Sequence, residues 1–155
     1  EAGCDVIIYT CHWGKEYSPK HYALQTQIAA AAAAAGADVI IGGHPHVVQG
    51  IGTVGNVPVI YSLGNLMFGG TIDMRPFDGM LAQIRLRFDE QGYAGCTITP
   101  IPILTSSSAR EGINDYQPVI AQGKDKERIL QAIQSDTPFA LMESMYFPSA
   151  SDENM

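Results

Sequence analysis

The chain reads as an α/β domain, and three observations predict it. Two short β-branched runs, residues 5–11 and 38–41, bracket an alanine-rich segment, the spacing of a strand–helix–strand unit. Further along, residues 80–88 and 95–104 alternate in polarity around the turn Asp89-Glu90-Gln91-Gly92, the pattern of an antiparallel hairpin. With 155 residues, 46% of them apolar and 16% charged, the chain fits one domain with a real core and is not a disordered segment.

Residues 5–11 read as a strand covered on both faces. A helix is expected over residues 19–35, with Ser18 as N-cap, Pro19 at the first helical position and Gly36 past the end. Leu24 and Ile28, one turn apart, give it an inward face, and the run Ala29 to Ala35 lets it lie close to a sheet. Residues 38–41 form the next strand, so both strand ends emerge on one edge of a parallel pair. Residues 47–51 and 57–63 read as strands joined by the turn Val54-Gly55-Asn56. Ser106-Ser107-Ser108 marks a loop, residues 126–134 a short helix and residues 149–155 a frayed tail. No internal repeat or second domain appears, so residues 1–155 read as a single domain.

The net charge of −7 and the scattering of the nine Lys and Arg residues argue against nucleic acid as a partner. An acidic surface also repels a polyanion unless bound cations neutralise the site. No run is long and apolar enough to cross a bilayer. The opening Glu1-Ala2-Gly3 suggests a piece cut from a longer precursor. Cys4, Cys11 and Cys96 are odd in number and read as free buried thiols rather than a disulfide.

Three of the four histidines lie in Cys11-His12-Trp13-Gly14 and Gly42-Gly43-His44-Pro45-His46, each directly after a predicted strand. Imidazole is the commonest protein metal ligand, and strand ends are where open α/β sheets place their chemistry. His12, His44 and His46 are therefore the expected metal ligands. The glycine pair allows a sharp bend, and Pro45 restricts His44 to extended geometry, so the two imidazoles point the same way. His12 by itself reads as a hydrogen-bonded core histidine, and only its matching position makes it a ligand. His21 reads as a helix-surface residue. The spare carboxylates nearby are Glu16, Asp73 and Asp78, none at a telling spacing. Trp13 and Tyr17 flank the loop and are candidates for lining a substrate pocket, with packing an equal alternative for Trp13. Asn65 either faces the site or closes a glycine turn. Met67, Phe68, Met74 and Phe77 read as an apolar loop packed on the core, with a flap as the alternative.

The strings DVIIYTCHWGKEY, GADVIIGGHPHVVQGI and VPVIYSLGNLMFG, in this order, resemble the bacterial capsule-synthesis proteins of the CapA type, the poly-γ-glutamate synthesis (PGA_cap) family. That family is similar to the calcineurin-like metallophosphoesterases. The resemblance covers residues 5–68 strongly and extends more weakly to about residue 104. It implies the C-terminal half of a four-layer α/β/β/α sandwich, because the family's upstream Asp or Glu set and Asn-His pair have no counterpart here. It also implies two divalent metal ions (Mn, Zn or Fe), one held by His12 and His44 and the other by His46. A hydroxide bridging them would attack the substrate. By the same resemblance the partners are the N-terminal half of the domain and an anionic polymer or phosphoester substrate. The location is the bacterial cell surface, extracellular or membrane-anchored. A half-domain by itself is expected to self-associate and to be inactive. Two other functions stay open: a non-catalytic scaffold for handling or exporting an anionic polymer, and a metal-dependent polyglutamate amide hydrolase.

Overall fold

The computed structural model describes residues 3–68 and 77–149. The elements are β1 (Ile8–His12), α1 (Ala23–Ala34), β2 (Val39–Gly43), β3 (Ile51–Val54), β4 (Val57–Ile60), β5 (Asp78–Asp89), β6 (Gly92–Leu104), β7 (Val119–Ile120), α2 (Gly123–Ser135) and β8 (Met145–Pro148). One sheet has the order β1-β2-β4-β3, with β1, β2 and β4 parallel and β3 antiparallel to β4. The other has the order β5-β6-β7, and β8 also pairs with β6. The α/β class expected from the sequence is what the chain adopts.

The β1–β2 register matters most for function. Ile8 lies opposite Val39 and His12 opposite Gly43, so both strands end level and release their loops side by side. In β2 the pleat sends Val39 to one core and Ile40 to the other; in β4, Val59 and Ile60 divide the same way. The larger core gathers Ile51 and Ile60 from the first sheet, Ile98 and Leu104 from the second, and Ile129 and Ile133 from α2. The smaller one sets Ala29 of α1 against Ile40, Val59, Trp13 and Tyr61.

Several local expectations need correction. The strand expected at 5–11 begins only at Ile8, and it is an edge strand rather than one covered on both faces: Ile7, Ile8 and Tyr9 are all exposed. Helix α1 starts at Ala23 with Tyr22 as N-cap, so Ser18 does not cap it; Gln25 Oε1 accepts the Tyr22 N–H at 3.2 Å instead. The inward face is Gln25 and Ala29, while Leu24 is exposed. Residues 47–50 lead into β3 rather than forming a strand, with one bridge from Val48 to Leu63. Helix α2 runs longer than 126–134. Cys4 is exposed, Cys11 half-buried and Cys96 buried, all as free thiols. Ser149, placed in a frayed tail, is buried, and its N–H donates to Ala94 O at 3.1 Å; the rest of that tail lies outside the described residues.

A polar cluster links α2 to the second sheet. Arg128 bridges Asp78 and Asp125, and Arg110 also holds Asp125, at 2.8 Å. The hydrogen bonds from Arg128 and then Arg110 keep the Asp125 carboxyl below its ordinary value. In the 106–117 loop, Ser107 foremost and then Ser106, with the Gln117 and Ser107 N–H groups, do the same for Asp115. A carboxyl depressed in the folded state stabilises the fold above its unfolded pKa, and that stability is lost as pH falls through the folded value. The urea midpoint is therefore expected to hold level from pH 7 to about 5 and to fall below about pH 4. In an Asp115→Asn/Asp125→Asn protein the acid-side decline should be visibly shallower in the same titration.

Candidate metal centre

The strand ladder carries on one step beyond β1, where Trp13 N–H donates to Gly43 O at 3.1 Å and binds the two loops together. The exposed His12 ring then lies 4.5 Å from that of His44, centroid to centroid, and His44 lies 6.0 Å from His46. The three imidazoles named from the sequence converge.

The loop that carries two of them is not extended. His44 has φ 96° and His46 φ 61°, both in the left-handed region. Histidine tolerates this region better than most residues, yet such a conformation costs about 1–3 kcal/mol and needs outside support. Pro45 is buried, and its carbonyl accepts the Tyr17 N–H at 2.8 Å, which fixes the turn from the neighbouring loop.

His46 is the best oriented of the three. Its Nδ1 lies 2.8 Å from Asn65 Oδ1, while Asn65 Nδ2 donates back to His46 O at 3.5 Å. The amide oxygen therefore faces the ring, so Nδ1 carries a hydrogen, and in the neutral imidazole Nε2 presents its lone pair outward. Glu16 Oε1 lies 4.0 Å from that Nε2. Glu16, His44 and His46 each offer a ligand atom within 4.8 Å of the others. The Tyr17 ring stacks on His46 at 5.9 Å and Phe68 meets it edge-on at 4.8 Å. Asn65 is held by a bridge between Gly64 and Gly79, where a Cβ at Gly79 would come within 2.4 Å of Asn65 O.

Of the proposed pocket-lining residues, Tyr17 is exposed and borders a cleft of about 860 Å³ with Gly14, Lys15, Glu16 and His44. Trp13 does not border it. Its ring is buried, 5% exposed, and its Nε1–H donates to Tyr61 O at 2.8 Å, so it packs the smaller core. Asp78 is taken by Arg128, and Asp73 and Met74 lie outside the described residues. Phe77 is buried, whereas Met67 and Phe68 are exposed.

Sequence reasoning passed over two supports of the site. Gln25 and Gln49, both fully buried, form a relay: Gln25 Nε2 donates to Gln49 Oε1 at 2.9 Å, and Gln49 Nε2 donates to Ser18 O at 2.9 Å. The relay anchors the loop that bears Glu16 and Tyr17. His21 precedes α1 rather than lying on the helix surface, and it is half-buried: it stacks on Tyr61 at 3.7 Å, and both its N–H and its Nδ1 meet Asp136. Neither link leaves a local signal, since the partners are 24 and 115 residues apart.

The family model described as bacterial capsule synthesis protein PGA_cap matches residues 1–70, which hold His12, Glu16, His44 and His46. The chain is 33% identical over 138 residues to PGA biosynthesis protein CapA of Bacillus subtilis (strain 168), covering 88% of this chain and 33% of that protein. It is 34% identical over 139 residues to capsule biosynthesis protein CapA of Bacillus anthracis, covering 88% and 30%. Residues 1–70 thus match the PGA_cap family of bacterial capsule synthesis proteins, and the similarity to the two CapA proteins runs over most of the chain. The chain spans about a third of the length of these two relatives.

Proposed function

We propose that the chain forms the histidine-bearing part of a divalent-metal hydrolase site, of phosphoesterase type, in a protein of capsule or poly-γ-glutamate synthesis at the bacterial surface. The observation that carries this reading is the convergence of His12, His44 and His46 at two adjacent strand ends. The donor set suits borderline divalent cations: imidazoles, one with its tautomer fixed by Asn65, beside a carboxylate. Bound divalent cations would lower the pKa of a coordinated water and neutralise charge on the attacked group. Within the protein, Asn65 orients the His46 ring, the left-handed turn aims both loop imidazoles, and Tyr17 borders the cleft a substrate would enter.

The fold detail belongs to the same proposal. The exposed apolar edge of β1, with Ile7 and Ile8 each about half exposed (49% and 46%), supports the latter half of a four-layer sandwich whose other portion covers that edge. The same edge gives this segment a surface through which to self-associate when isolated. A His44→Ala/His46→Ala change in the full-length protein is expected to abolish metal uptake measured by elemental analysis, and undiminished metal content would refute the assignment. A panel of phosphomonoesters and phosphodiesters with added Mn²⁺ or Zn²⁺ should show turnover by the intact protein; none at all would favour a non-catalytic polymer scaffold.

A further inference from the structure

We infer that Glu16 is a metal ligand, supplying a carboxylate oxygen to the ion that His46 faces, with His44 close enough to share it. This rests on the metal-site reading above and adds a ligand that the histidine pattern does not contain.

The argument begins with the polarity of the facing atoms. In the neutral imidazole, the form that binds a metal, Nδ1 of His46 donates to Asn65 and Nε2 is an acceptor, and the atom it confronts at 4.0 Å is another acceptor, Glu16 Oε1. Two acceptors aimed at one another repel, and a cation between them turns that repulsion into attraction. The spacing suits such an ion. Ligand atoms about 2.1 Å from a tetrahedral cation sit roughly 3.4 Å apart. Glu16, His44 and His46 lie within 4.8 Å of one another, so side-chain adjustments of about an ångström close the site.

The loop around Glu16 is built to hold it there. Tyr17, directly after it, takes φ 59° and is pinned by its N–H to Pro45 O, between the two histidines. Ser18, one residue further, is held from below by the buried Gln25–Gln49 relay. A solvated surface glutamate would need neither restraint. The left-handed backbone at residues 17, 44 and 46 thus brackets one point, the space between the Glu16 carboxylate and the two imidazoles.

The test is a Co²⁺ titration of the full-length protein, followed by visible absorption and repeated with Zn²⁺ against a chromophoric chelator. Glu16→Gln keeps the size of the side chain and removes its charge; His46→Ala removes the neighbouring ligand. The expected result is at least about tenfold weaker binding by both variants, with an altered Co²⁺ band shape in Glu16→Gln and an unfolding midpoint without metal equal to that of the parent. If His46→Ala loses affinity while Glu16→Gln keeps both affinity and spectrum, the glutamate assignment is overturned and the histidine site stands. If the parent protein binds neither ion, the metal reading falls and Glu16 with it.

Discussion

Replacing Gly42 by alanine is expected to destabilise the fold by about 3 kcal/mol or more and to scatter the histidine loop with it. Gly42 ends the buried part of β2, where a Cβ would lie 2.2 Å from Trp13 Nε1 and 2.2 Å from Tyr61 O. Those two atoms are hydrogen-bonded to one another, so the added methyl must break the bond as well as displace the ring. A buried indole N–H left without a partner adds its desolvation to the overpacking. Trp13 also donates its backbone N–H to Gly43 O, so moving it unzips the seam between the two histidine loops. Trp13 is the chain's single tryptophan, and its emission in urea reports directly on this seam. Gly43→Ala is the control: a Cβ there meets nothing within 4 Å, and its cost should stay near 0.5 kcal/mol. Equal midpoints for the two variants would show that the packing at residue 42 does not hold the site.

Asp136→Ala should cost a similar amount, about 3 kcal/mol, through a different mechanism. The Asp136 side chain is 4% exposed, and one of its oxygens accepts from Gly50 N at 2.9 Å, His21 N at 3.1 Å and His21 Nδ1 at 3.0 Å. It thereby fastens the end of α2 to the lead into β3 and to the segment before α1. Truncation leaves backbone donors buried and unpaired, which is worse than never having formed the bonds. Asp136→Asn retains an acceptor oxygen and should cost about half as much. Denaturant midpoints for the two variants give the comparison, and equal losses would mean that the carboxylate's bonds are not what matters there.

The parts of the fold that could be read in the sequence are those fixed by local pattern. β-Branched runs marked β1, β2 and β4, alternation marked the β5–β6 hairpin, and glycine and proline marked the turn that carries His44 and His46. The errors arose where distant partners overrule local preference. Leu24 looked like the inward residue of α1, but Gln25 is buried there because Gln49 satisfies its amide. Ser18 looked like an N-cap, yet the helix begins only after an extended Tyr22, where Asp136, far along the sequence, holds the His21 N–H just before it. Residues 5–11 looked like an interior strand because apolar composition cannot reveal that a sheet ends there.

The candidate site divides along the same line. His12, His44 and His46 could be chosen because strand order brings their loops together, and that follows from the strand–helix–strand unit alone. Glu16 stood out in no pattern; its place beside His46 depends on a left-handed tyrosine and a buried amide relay. The orientation of His46 depends on Asn65, 19 residues away across a glycine bridge.

Anomalous diffraction from crystals of the full-length protein grown with Mn²⁺ or Zn²⁺ examines the metal centre most directly. The expected map has a peak within about 3 Å of imidazole nitrogens from both strand-end loops, His12 on one side and His44 or His46 on the other. Peaks confined to other places, with those rings turned away from each other, would contradict it.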